Sequence, residues 1–261
     1  MKTLDQLGVL TRRIMKQNLT NLDTLITVIA MPVFMLLLFV YVMGGNMVTS
    51  NGASPSTAAY LTYALPGFCF LTMTMGSAYT ALRINSDQTK GFLQRLHSLP
   101  IPRWVILCSH VVASVLFMLL AELLVLIVGL LLGFRMHATW QNGLLFARLS
   151  IMFALAITLL AIPFSLKASN YASAGGFSYL LLMLLFVSSA LMPTTGMAKP
   201  VRLFAEHQPM TAIVNVGRGL LDNHLTITTG SQISAVLWLV GGILICAASS
   251  WWVYQRVYVR R

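Results

Sequence analysis

The amino-acid sequence predicts an all-α membrane protein with six transmembrane helices, and three observations predict it. Apolar residues make up 57% of the 261 positions and charged residues only 9%, with a mean hydropathy of +0.81, the composition of a chain whose solvent is lipid. Six apolar windows reach the ~20 residues a helix needs to cross about 30 Å of hydrocarbon. Lys and Arg gather in alternate connections between those windows, as in cytoplasmic loops.

Taken in order, residues 1–23 set Leu4, Leu7, Leu10, Ile14 and Leu22 at helical spacings, with Arg12, Arg13, Lys16 and Gln17 elsewhere. That pattern predicts an N-terminal interfacial helix, the plainer alternative being a basic tail that fixes topology. The spans follow at 24–43, 60–82, 105–134, 144–166, 174–192 and 231–254. No cleavable leader is expected, because the first apolar run lies behind a long polar segment and is of full length. Tyr41, Tyr60, Tyr63, Trp104, Trp140, Trp251, Trp252 and Tyr254 fall near span ends, where amphipathic rings settle at the headgroups. Pro32, Pro66 and Pro163 interrupt helical hydrogen bonding inside spans, and Gly129 with Gly133 makes a small-residue face for close helix approach.

Charge placement gives the orientation. With the N-terminus inside, the inner segments carry Lys2, Arg12, Arg13, Lys16, Arg83, Lys90, Arg95, Arg103, Lys167, Arg256, Arg260 and Arg261, against Arg135, Lys199, Arg202 and Arg218 outside. A multi-pass protein of the inner (plasma) membrane with both termini cytoplasmic is expected.

Two connections are more than loops. In the outer segment 193–230, Val201–Ala205 and Met210–Leu221 read as short helices broken by Pro200, Pro209 and Gly230, either a re-entrant hairpin lining a pathway or an ordered loop on the headgroups. In the inner segment 86–99, Ser86 or Asp87 is placed to cap a helix that Pro100 and Pro102 stop. Phe92, Leu93, Leu96 and Leu99 give it an apolar stripe, while Lys90, Gln94, Arg95 and His97 are left to solvent or a partner. The stripe suits either a partner's groove or a simple anchoring role at the interface.

Several function classes are excluded. The formal charge of +11 sits mostly beside spans, where it meets anionic lipid rather than nucleic acid. Cys69, Cys108 and Cys246 fall within spans and read as small apolar residues. There is no HExxH pair, no GxSG nucleophile and no GxxxxGK[ST] phosphate loop, so neither a catalytic residue, a metal site nor a nucleotide site is expected on this chain. Of the histidines His97, His110, His137, His207 and His224, only His110 lies in a span. Glu122 is the one acid deep within a span, with Arg148 its candidate partner. Both are substrate-path candidates, the alternative being a structural pair.

Three segments carry a family resemblance: YLTYALPGF at Tyr60 to Phe68, GFLQRLHSLPIPRW at Gly91 to Trp104 and QPMTAIVNVGRGLL at Gln208 to Leu221. With them the chain resembles an ABC type-2 transporter permease over nearly its whole length, most closely the membrane subunit of daunorubicin-resistance-type drug exporters. The resemblance implies a single transmembrane domain over 1–261. It also implies two permease protomers, as a homodimer or related heterodimer in membrane lipid, with two ATP-binding subunits that hold ATP and Mg. By position, 86–99 would be the cytoplasmic coupling helix, with Asp87, Lys90, Gly91, Phe92, Leu93, Gln94, Arg95, Leu96, His97 and Ser98 as its ATPase-coupling residues, and 193–230 the outer hairpin. Relatives often place a glutamate shortly before the motif's glycine, whereas here Asp87 and Lys90 precede Gly91. The function so implied is export of a hydrophobic or amphipathic compound by alternating access, by a transport subunit rather than an enzyme. A lipid-linked glycan or polymer is the alternative cargo, and a secondary transporter the alternative class.

Overall fold

The computed structural model describes residues 3–44, 56–223, 225 and 228–258, so Lys2, His224, Arg260 and Arg261 lie outside the described residues. The described chain is helical, with one isolated bridge between His137 and Asp222.

The N-terminal helix α1 (Thr3–Thr20) buries Leu10, Ile14 and Asn18. The first span runs from Leu22 to Met43 as α2 (Leu22–Leu25), a π-helical stretch (Ile26–Ala30) and α3 (Met31–Met43). Asn21 caps it by accepting from the Thr24 N–H. The widened turn stands directly before Pro32, whose ring and missing N–H disturb the ladder of the preceding turn.

Helix α4 (Thr57–Thr89) is the hub. Of its most apolar window 78% is buried, against 17% for α12 (Thr229–Tyr258) at the periphery. Small residues allow close packing around α4, and the hydroxyls of Thr72, Thr74 and Ser77 are satisfied by carbonyls of their own helix. Around it stand α6 (Arg103–Leu131) and α7 (Trp140–Lys167), and a short α5 (Phe92–His97) links α4 to α6.

Among the described residues, five helices are long and apolar enough to cross a membrane, and they correspond to the first, second, third, fourth and sixth predicted spans. The fifth, at 174–192, differs. It is divided into α8 (Tyr171–Ala174), a turn at Gly175 and Gly176, α9 (Phe177–Phe186) and a run of turns through Leu191. Adjacent glycines interrupt its start, and the Ser188 hydroxyl bonds back to the Leu185 carbonyl at its end.

The outer segment forms α10 (Lys199–His207) and α11 (Pro209–Leu221). Pro200 and Pro209 occupy first-turn positions, where an N–H has no intrahelical partner, so they start these helices rather than break them. Helix α11 is buried over nearly its whole length and packs on α4, α7 and α12.

Candidate functional site

The segment 86–99 is not one helix. Helix α4 continues through Thr89, so Ser86 and Asp87 lie in its last turns rather than at a new start. The chain reverses at Gly91 (φ 69°), in the left-handed region that glycine enters without a Cβ penalty.

Asp87 is buried, and both its oxygens accept from the Arg13 guanidinium at 3.1 Å. His110 Nε2 lies 3.7 Å from the same carboxylate. The Arg13 Cζ also stands 3.7 Å above the centroid of the Phe92 ring. One side chain of α1 thereby grips the end of α4 and the start of α5, and Arg83 Nη2 adds a 3.0 Å bond to Asn18 Oδ1.

The predicted apolar stripe is split. Leu93 and Leu96 are buried with Leu10, Val105 and Ile106 of the same chain, Phe92 is half-buried beneath Arg13, and Leu99 is 51% exposed. The predicted solvent side is split too. Lys90, Gln94, Arg95 and Ser98 are exposed, whereas His97 Nε2 sits 2.6 Å from the Tyr254 hydroxyl and its ring stacks on Tyr258 at 4.6 Å between centroids. Burial pushes the His97 imidazole below its ordinary pKa, favouring the neutral ring.

Glu122 and Arg148 are not brought together. The Ser150 hydroxyl donates to Glu122 Oε1 at 2.7 Å in a buried pair between α6 and α7, while Arg148 is exposed. Residues two apart on a helix differ by about 200° in direction, so Ser150 and Arg148 face opposite ways.

A polar cluster missed by sequence reasoning lies at the other end of α4, where the fifth span breaks. The Ser189 carbonyl accepts from the Tyr63 hydroxyl at 2.9 Å and from Arg218 Nη2 at 2.8 Å. The Leu191 carbonyl accepts from the Tyr60 hydroxyl at 3.2 Å. Arg218 Nε donates to the Tyr63 carbonyl and Nη1 to Asn215 Oδ1, with Cζ 3.7 Å from the centroid of the Tyr63 ring. Gly67 completes the fit, because any Cβ there would strike the Ala190 carbonyl. Two of the quoted segments, those of Tyr60–Phe68 and Gln208–Leu221, thus meet here, which was the available signal. The third holds the α5 turn at the opposite end.

The ABC-2 type transporter family matches residues 5–221. The chain belongs to that family. A daunorubicin resistance ABC transporter permease protein of Streptomyces coeruleorubidus is 27% identical over 86% of this chain and 74% of its own length. A probable doxorubicin resistance ABC transporter permease protein of Mycobacterium tuberculosis is 24% identical over 91% of this chain and 83% of its own length. This ABC-2 family member is therefore a multi-pass membrane subunit of an ABC transporter. Among its described residues no three His, Cys, Asp or Glu converge as metal ligands would.

Proposed function

We propose that the chain is the permease subunit of an ATP-driven exporter, moving a hydrophobic or amphipathic compound outward across the inner membrane by alternating access. Two such protomers, identical or related, would pair with two ATP-binding subunits that hold ATP and Mg. The names of the relatives support a drug-like cargo.

The observation that carries this reading is the two-sidedness of α5. Gln94 and Arg95, with Leu99 just beyond the helix, are presented outward, while Phe92, Leu93, Leu96 and His97 are braced on α1, α6 and α12. A short helix fixed on one side and open on the other suits the transmission of force from a soluble partner. When the nucleotide-binding pair closes, a push on α5 passes through Arg13 to α1 and to the end of α4, tilting the protomer and exchanging inward for outward access. The buried Glu122–Ser150 pair is a polar feature available to a substrate path between α6 and α7.

Reconstitution with the ATP-binding subunit tests the reading. Arg95→Glu is expected to leave membrane assembly intact and to lower cargo export about tenfold, the scale of a typical coupling free energy. Unchanged export by an assembled Arg95→Glu complex would exclude α5 as the point of contact.

A further inference from the structure

Beside α1 lies a groove that this transport cycle does not use. It encloses about 670 Å³, and its floor is apolar, with Leu7 and Met15 from α1 and Val112 and Leu116 from α6. Arg12 and Lys16 stand on its rim and also line a second concavity of about 490 Å³ on the other flank of α1. Both side chains are exposed, and neither enters an ion pair among the described residues. Their neighbour Arg13, by contrast, is committed to Asp87.

Two features of this arrangement point to a ligand. Arg12 and Lys16 are four apart on one helix, where Cβ atoms stand about 5–6 Å from each other and like charges repel, a cost that a shared anion removes. Gly8 sits in the middle of α1, where glycine weakens a helix, yet nothing lies within 4 Å of where its Cβ would stand. No packing contact requires that glycine. Its missing side chain leaves the groove open along its length.

We infer that the groove binds an anionic phospholipid, with the phosphate between Arg12 and Lys16 and one acyl chain lying along Leu7, Met15, Val112 and Leu116. The apolar floor cannot choose between lipids, since hydrocarbon tails are as apolar as leucine. Selection comes from the two cations, which attract a net negative headgroup and repel a cationic amphiphile. The inference rests on α1 lying at the membrane surface and is independent of cargo and of the ATP-binding partner.

Native mass spectrometry of the full chain in detergent, given phosphatidylglycerol and phosphatidylcholine with identical chains, tests it. The wild type is expected to retain phosphatidylglycerol preferentially. Arg12→Gln with Lys16→Gln should lower that preference about tenfold, Lys16→Gln alone by about threefold, and Arg103→Gln at the same end of the bundle should leave it unchanged. Gly8→Leu, which favours the helix while filling the groove, should reduce retained phosphatidylglycerol. Circular dichroism checks that each variant is folded, and the single substitutions decide the matter if the double one is not. Undiminished preference in the charge variants, undiminished retention in Gly8→Leu, or competition by chain-free glycerol phosphate as effective as the lipid itself would each overturn the assignment.

Discussion

The Arg13 guanidinium reaches Asp87 in two parallel hydrogen bonds and covers Phe92 in the same pose. Its side chain is 30% exposed and that of Asp87 only 7%, so the pair falls between the surface and buried extremes. Arg13→Gln is expected to cost about 2 kcal/mol, because it strands a buried carboxylate. Thermal unfolding in detergent measures this, and a double-mutant cycle with Asp87→Asn isolates the pairwise part. At His97 the folded pKa lies below the ordinary value of 6.5. Below about pH 6.5 the unfolded chain takes up a proton that the folded chain refuses, so the stability His97 contributes falls with falling pH. The protection of α5 amides, taken as exchange relative to the intrinsic rate at each pH, should therefore fall on acidification, and His97→Gln should flatten that dependence. Glu122 shows a limit of reasoning by residue type alone: an acid in a span suggests a cation, yet the hydroxyl of Ser150 is the group turned toward it. Glu122→Gln keeps an acceptor for Ser150 and should leave stability within about 1 kcal/mol of wild type, whereas Ser150→Ala should cost about 1–3 kcal/mol in the same unfolding assay.

At the scale of elements, the long spans were legible because each is dominated by apolar residues over a full crossing length, and length with hydropathy is all that such a helix needs to declare itself. The broken fifth span was not. A hydropathy window averages over Gly175, Gly176, Ser188 and Ser189, and it cannot see that the Leu191 carbonyl finds its donor 131 positions away at Tyr60. Freed carbonyls at such a break need partners, and here tyrosine hydroxyls and a guanidinium supply them. Arg218→Met removes three donors at once and should destabilise the fold by about 2–4 kcal/mol, with faster proteolysis in the 187–198 segment as its local sign. Arg218→Lys keeps the charge but lacks the planar fork, and it should recover only part of the loss. The 86–99 segment was legible only in part, for a related reason. Phe92, Leu93 and Leu96 make the same pattern whether they face a partner or their own core, and only the position of α1 decides between the two.

For the whole molecule, the family was legible in three short segments, and the structure gathers two of them at one end of α4 and holds the third at the other. Arg95 and Lys199 lie in those opposite regions. Introduced singly as Arg95→Cys and Lys199→Cys in intact cells, they are expected to differ in reaction with a membrane-impermeant thiol reagent, with only the latter labelled, as the distribution of Lys and Arg predicts. Labelling of Arg95→Cys from outside would overturn the proposed orientation.

The length of α4 has a geometric consequence. Its 33 residues span about 50 Å at 1.5 Å per residue, whereas a bilayer measures about 30 Å across its hydrocarbon and 40–45 Å with its headgroups. The excess of about 20 Å is taken up by tilt and by projection at both ends, which carries the glycine bend at its tip out to the level of α1, whose Arg13 grips Asp87 there, and where a soluble protein can meet it.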